Sequence, residues 1–487
     1  MNQTSVHTAS YQQAILPIVV DLDHTYLKVD SLYELFAASL FSKPAQTLRS
    51  LFQLTRGIAA FKCRLVEIAK LDSASLPVHR ELISYLEEQS AQGRDIHLAT
   101  AAHISIATDV ASEKTLFKSI YGTNPDVNLK GAAKARQLLE AFPDGFVYAG
   151  DSTSDIPVWR EARAAIVVAS NRKLANHLQA SGIPIEQAFI ETSPSLSSWW
   201  RAFRPHQWAK NLLIFVPLIL GAPDVTLRGL LTTLVFLLLL CGVASLTYVV
   251  NDIADVTSDR KHWSKRRRPF ASGAIPIRDG LIAASLGLPI LLLIGLLISP
   301  PAAACLICYT AITLGYSFGW KRVPLFDTFL IALLFTIRVL MGTITASLIT
   351  SVWLMVFSMF FFFSMALAKR HTEILRAAEH GLDDINGRGY RTDDSVLTLV
   401  MGLSSSMAAI VLVVIYMVEE VFTRRMIYSE PVWLWITPMA IFLFVCRIWI
   451  LSHRGRMTDD PVAFALRDRV CLALGACVVA AIALAFS

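Results

Sequence analysis

A chain of 487 residues is too long for one ordinary domain, and 44 basic against 38 acidic residues leave a net charge of only +6. The basic residues cluster beside apolar segments, where the positive-inside rule accounts for them, so the charge implies no nucleic-acid partner. The 54% apolar content and mean hydropathy of +0.51 hide a division. Up to about Ser198 charges are spread as in a soluble protein; beyond it, apolar stretches of helix-spanning length recur to the C-terminus.

Met1 to Gln13 is polar and lacks the basic and apolar segments of a signal peptide, so the first domain is expected to stay in the cytoplasm. Cys63, Cys241, Cys305, Cys308, Cys446, Cys471 and Cys477 show no metal-ligand spacing, and all but Cys63 lie in apolar segments, as small buried hydrophobes do.

The soluble domain, 1–192, begins with an apolar strand over Ala14 to Val20 that runs into Asp21-Leu22-Asp23-His24-Thr25. Further strands are predicted at Asp95 to Thr100, Phe117 to Tyr121, Phe146 to Ala149 and Ala164 to Ala169, separated by helical patterns such as Ala132 to Phe142. This alternation predicts an α/β fold with a parallel sheet whose site lies at the carboxyl ends of its strands. Polar residues fall there: Asp21, Asp23, Thr100 and Gly150-Asp151-Ser152-Thr153-Ser154-Asp155.

The ordered motifs resemble the haloacid dehalogenase (HAD) phosphohydrolases across the whole domain, with a Rossmann-like fold implied. The resemblance makes Asp21 the nucleophile that forms an aspartyl-phosphate and Asp23 the general acid/base. Thr100 becomes the phosphate-holding hydroxyl and Lys134, chosen over Lys130 because it opens a helical pattern, the motif lysine. Asp21, Asp23, Asp151 and Asp155 then form the magnesium site. A carboxylate can attack phosphorus only if cations quench the repulsion between two anions. A helical insert at about 31–77 suits a cap that selects substrates. A non-enzymatic relic of the family is the alternative, against which both Asp21 and Asp23 speak.

A polar segment, 193–207, with Trp199, Trp200, Arg201 and Arg204, leads into an all-α membrane domain over 208–487. Nine spans are predicted, at 208–222, 229–250, 279–299, 301–319, 325–347, 350–368, 398–418, 431–451 and 469–486. Basic loops at 251–278, 320–324, 369–397 and 452–468 all fall on the cytoplasmic side if the first span starts there, in an inner membrane, leaving the C-terminus outside.

Where the second span ends, Asn251 and Asp252 open a run containing Asp255 and Asp259. On a continuing helix the three aspartates share one face at i, i+3 and i+7. Near a bilayer an unpaired charge costs about 2.5 to 3.5 kcal/mol even on lenient scales, so a divalent cation is the natural partner. Arg260, His262, Lys265, Arg266, Arg267 and Arg268 follow. A second polar group comprises Tyr316, Lys321, Arg322 and Asp327, with Arg338 deep in the next span, where pairing inside the bundle competes with a site role. Lys369, Arg370, Glu373, Gly389-Tyr390-Arg391 and Arg467-Asp468-Arg469 read equally well as solvated faces.

The NDxxDxxxD pattern resembles the UbiA superfamily of intramembrane prenyltransferases from about Arg204 onward. Arg204-Pro205-His206-Gln207-Trp208-Ala209-Lys210-Asn211, the 259–273 stretch and Tyr316 to Asp327 look like its decaprenyl-phosphate phosphoribosyltransferase branch, except for Trp263-Ser264 after the histidine. That resemblance implies transfer of 5-phosphoribose from phosphoribosyl diphosphate (PRPP) to polyprenyl phosphate. Magnesium would lie on Asp252, Asp255, Asp259 and Asp327. Lys210, Asn211, Asn251, Arg260, His262, Lys265, Arg266, Arg268, Tyr316, Lys321 and Arg338 would contact substrates, arginine by bidentate pairing with phosphate. The soluble domain would then remove the 5-phosphate of the lipid product, within cell-envelope biosynthesis. Aromatic prenyl transfer from a prenyl diphosphate uses the same acidic face and is the alternative. A transporter is disfavoured because the polar residues sit at one end of the spans.

Overall fold

The computed structural model describes residues 16–124, 128–169, 171–190, 195–383, 385, 388–422, 428–457, 461–465 and 467–486. The chain forms two compact units. One is Met1–Ala202 with Asp252–Gly280; the other is Phe203–Asn251 with Leu281–Ser487. The aspartate-rich loop that follows Asn251 therefore folds with the N-terminal α/β residues.

In the first unit, β1 (Ile18–Val20), β2 (Ile96–His103), β3 (Ser119–Thr123), β4 (Val147–Gly150), β5 (Ala164–Ala169) and β6 (Ile185–Ile190) form a parallel sheet in the order β3-β2-β1-β4-β5-β6. β1 is central: Ile18 pairs with both Ile96 and Val147. Alternate residues feed opposite cores, Ile18, Val20 and Leu98 on one face and Val19, Ala99 and Tyr148 on the other. A strand buried on both faces needs an unbroken apolar run, which is why β1 is so plain in the sequence. Strands leave β1 in both directions, and this opens a crevice at their carboxyl ends. β6, outside the predicted strands, is a largely exposed edge whose Ile-Glu-Gln-Ala-Phe-Ile lacks such a run. Helices Ser31–Ser42, Pro44–Ser50 and Ile58–Ile68 make up most of the insert between β1 and β2. Asp30 caps the first of them, accepting from the Leu32 and Tyr33 amides. Of the predicted linker, Ser193 and Pro194 lie outside the described residues, whereas Leu196–Phe203 is helical.

The second unit is a helical bundle. Eight helices among the described residues are long and apolar enough to cross a membrane: Leu227–Ala254, Ile277–Ile298, Pro300–Phe318, Phe326–Thr345, Val352–Glu379, Thr392–Glu419, Pro431–His453 and Arg469–Phe486. The first predicted span, 208–222, is instead a 3-10 helix Pro205–Phe215 followed by the short α-helix Val216–Leu220. Pro205 and Pro217 each lack an amide donor and sit at the starts of these pieces, so the sequence divides there. Gly342 lets helix Phe326–Thr345 approach this segment closely: a Cβ there would lie 1.9 Å from the Ile214 carbonyl oxygen. Leu286, Ile290, Leu293 and Leu297 are exposed along Ile277–Ile298, a lipid-facing pattern.

Candidate active sites

At the end of β1 the chain turns sharply. Asp23 is extended and His24 left-handed at φ 56°. The Asp21 Oδ1 atom accepts from Lys134 Nζ at 3.0 Å. Lys134 also donates to the Tyr148 hydroxyl at 2.8 Å and lies 3.8 Å from Asp155 Oδ1. Lys134 is buried, whereas Lys130 is exposed. Asp155 is held by the amides of Asp151 and Ser152, both at 3.3 Å, and by the Tyr148 hydroxyl at 3.1 Å. Gly150 leaves room for it, since a Cβ there would meet Asp155 Oδ2 at 2.9 Å.

Carboxylate oxygens of Asp21, Asp151 and Asp155 lie within 4.8 Å of one another. An all-oxygen set of this kind, with one lysine against three carboxylates, fits a hard divalent cation such as magnesium. Burial pushes the Asp21 carboxyl up to about 6 despite the pull of Lys134. Burial, with Asp155 and Asp21 nearby, takes Asp151 to about 8. Asp23 does not join this group; its Oδ1 accepts from the Ser31 amide at 2.8 Å, and burial, reinforced by Asp30, raises it to about 7. Thr100 lies inside β2, where the pairing with β3 shifts after Ala99, and its hydroxyl accepts from the Ala102 amide at 2.9 Å.

Also in the first unit, Asp252 and Asp259 converge on one guanidinium: Arg268 Nη1 is 3.2 Å from Asp252 Oδ1 and 2.6 Å from Asp259 Oδ2. The continuous helical face predicted for the three aspartates is interrupted. Helix Leu227–Ala254 ends, Asp255 (φ −96°, ψ 5°) stands at the junction, and Val256–Lys261 begins a new helix. Asp255 takes the N-cap position of the second helix, a place aspartate favours, although its side chain makes no capping bond to the helix amides. Burial raises the Asp259 carboxyl even against Arg268. His262 Nδ1 accepts from the Ser264 and Lys265 amides at 3.2 and 3.4 Å and so braces the turn. Lys265 and Arg266 are exposed. Arg260 is fully engaged elsewhere, with Glu34 and the Ala271 carbonyl.

In the second unit, fully buried Asp327 accepts from Arg370 Nε at 2.7 Å, Arg388 Nη1 at 3.4 Å and the Tyr390 hydroxyl at 2.6 Å. Arg370 also pairs with Glu373. Tyr316 accepts from Arg388 at 2.8 Å. Asp327, read from the sequence as a metal ligand, is thus already balanced by guanidinium groups. Arg388 escaped the sequence reading. Its signal was the glycine beside it: a Cβ on Gly389 would lie 2.3 Å from the Arg322 carbonyl oxygen, which shows how closely this loop approaches. Arg338 bonds to Asn211 Oδ1 at 2.9 Å, the Leu334 carbonyl at 2.6 Å and the Tyr309 hydroxyl at 3.1 Å, all uncharged partners. Asn251 Oδ1 accepts from Ser317 at 3.3 Å. Lys210 and Lys321 are half-buried.

Comparison with known proteins agrees with the bundle. The UbiA prenyltransferase family model matches residues 212–468. An uncharacterised protein of Sinorhizobium fredii is 38% identical over 470 residues, covering 96% of this chain and 91% of its own. A decaprenyl-phosphate phosphoribosyltransferase of Corynebacterium glutamicum is 38% identical over 184 residues, 36% of this chain and 54% of that protein. A UbiA homolog from Archaeoglobus fulgidus, solved with DMAPP and Mg2+, aligns over 59% of this chain and 98% of its own at 15% identity and a TM-score of 0.44. The chain is a multi-pass membrane protein belonging to the UbiA prenyltransferase family.

Proposed function

We propose that the membrane enzyme transfers 5-phosphoribose from PRPP to polyprenyl phosphate, and that its N-terminal α/β domain is a HAD-type phosphatase acting on the product. The observation that carries the first part is the Asp252–Arg268–Asp259 cluster, set in a loop with Lys265 and Arg266 exposed beside it. The family name of the Corynebacterium relative supports the same donor. Asp252 and Asp259, with Asp255 at the helix junction, would hold magnesium, which neutralises the diphosphate of the donor as it departs. An oxygen of the acceptor phosphate bonds to the anomeric carbon while the bond from that carbon to diphosphate breaks and the diphosphate keeps the electron pair. Arg268, Lys265 and Arg266 orient phosphate oxygens, arginine by its fork. Arg338, whose partners are uncharged, is the candidate for an anionic group within the bundle. Aromatic prenyl transfer is the competing chemistry within the family.

In the α/β domain, Asp21 attacks phosphorus and the ester P–O bond breaks. Asp23, raised to about 7, gives its proton to the leaving sugar oxygen; it then takes one from the water that hydrolyses the aspartyl-phosphate, releasing inorganic phosphate. Lys134 holds the nucleophile in place. The basic loops favour a cytoplasmic location for both chemistries in an inner membrane.

The test is incubation of purified protein with radiolabelled PRPP and decaprenyl phosphate, followed by lipid mass spectrometry. Wild type should yield polyprenyl-phosphoryl-ribose, and Asp21→Asn should accumulate its 5-phosphate. Labelled lipid that forms only from a prenyl diphosphate and an aromatic acceptor would establish the competing chemistry. An identical lipid product from wild type and Asp21→Asn would sink the coupled scheme.

A further inference from the structure

Arg260 follows Asp259 directly, yet its guanidinium is turned to a residue of the α/β fold. Nη1 and Nη2 lie 3.0 and 2.5 Å from the two carboxylate oxygens of Glu34, and Nε is 3.1 Å from the Ala271 carbonyl. Both charged side chains are almost fully buried, at 5% and 3% exposure. Glu34 sits in the first turn of helix Ser31–Ser42, the helix whose Ser31 amide holds Asp23. The surroundings are closely fitted: a Cβ on Gly273, at φ +76°, would lie 3.2 to 3.3 Å from Lys28, Pro77 and Val29. Lys261 adds a partly exposed pair with Asp72 at 2.7 Å.

Six cations lie between positions 260 and 268, and two buried aspartates, Asp252 and Asp259, share one of them, Arg268. A second guanidinium beside Asp259 would compete for the same carboxylates unless another acid held it. Glu34 is that acid, and the bidentate geometry fixes Arg260 in direction as well as charge. A bland alternative is that the pair is packing alone. Its position, one residue from Asp259 and bonded to the loop's own backbone at Ala271, favours a part in setting the loop.

We propose that Glu34 is a positioning residue for the transferase: by holding Arg260 away from Asp259 it keeps the aspartate loop in its donor-binding form, so the α/β domain is a required part of the membrane enzyme. The proposal rests on the reading of this loop as a PRPP–magnesium site. It predicts that a residue with no contact to either proposed substrate controls donor affinity.

The experiment uses full-length protein in nanodiscs with three variants, Glu34→Gln, Glu34→Asp, and the exchange Glu34→Arg with Arg260→Glu. Removing one charged partner of a bidentate pair should raise the PRPP KM and the half-saturating magnesium concentration about tenfold, with kcat changed less than about threefold. Amide exchange over 256–275 should quicken by about the same factor. Hydrolysis of para-nitrophenyl phosphate in Glu34→Gln should stay within about twofold of wild type. Glu34→Asp or the exchange variant should restore donor affinity. An unchanged KM, or a changed KM with unchanged exchange over 256–275, overturns the proposal. If wild type makes no ribosyl lipid, the PRPP reading fails; exchange in Glu34→Gln then decides the loop-ordering claim, and no acceleration overturns it too. A general collapse of Glu34→Gln, seen as faster exchange throughout β1 to β5, with no recovery in the exchange variant, would assign the pair to folding alone.

Discussion

Two buried acidic centres, Asp21–Asp151–Asp155 in the first unit and Asp327 in the second, place carboxylates out of water by opposite means. The first sets three carboxylates against one lysine, and its pKa values are displaced upward. The second sets Asp327 and Glu373 against Arg370 and Arg388, with Tyr390 supplying a further donor. One has charge left over for a cation from solution; the other is neutral within itself. Acidic residues in a sequence therefore do not identify a metal site until the cations that reach them are known.

Four experiments test this contrast. Asp21→Asn keeps the shape of the first centre and removes its nucleophile, so phosphomonoester hydrolysis should fall by about four orders of magnitude with the fold intact. Retained hydrolysis would show that this cluster is structural. Asp252→Ala should lower PRPP-dependent lipid formation about a thousandfold, measured on membranes with normal protein content. Asp327→Asn should act on stability instead, because Arg370 and Arg388 lose their shared acceptor. A loss of about 3 kcal/mol is expected, seen as a lower detergent-resistance midpoint that magnesium does not restore. Magnesium rescue would move Asp327 into the metal class.

The fourth experiment is pH dependence. A carboxyl raised in the folded state from 3.8 to about 6 at Asp21 and about 8 at Asp151 binds more protons folded than unfolded. Its contribution is therefore fully present below about pH 4 and is lost as pH rises toward 8. In thermal melts of the full chain, the transition of the α/β domain should fall by several degrees or more between pH 5 and pH 8. Magnesium competes with those protons, so the shift it produces should be larger at pH 8 than at pH 5. A shift of equal size at both would mean that these aspartates are not its ligands.

Much of this was legible in the chain. β1 is an unbroken apolar run followed by two aspartates, and Lys134 opens a helical pattern that a one-turn periodicity reveals. β6 was not, because an exposed edge strand has no continuous core to record. The break at Asp255 had a signal, a cap-favouring residue, which the long apolar run before it outweighed. The 208–222 span had two prolines arguing against one straight helix. Least legible was the environment of Asp327. Arg370, Arg388 and Tyr390 are 43, 61 and 63 residues away, and only folding gathers them.

Tyr390 does more than donate to Asp327. Its hydroxyl, which donates to Asp327, also accepts from the amide of Leu325, a residue held at φ 64° just before helix Phe326–Thr345. These partners are 65 residues apart. During synthesis the helix leaves the ribosome well before the tyrosine that ties down its first turn, and a further helix, Val352–Glu379, is made in between. The start of this helix can therefore be locked only after its successor has been synthesised, so its first turn waits on a single phenol.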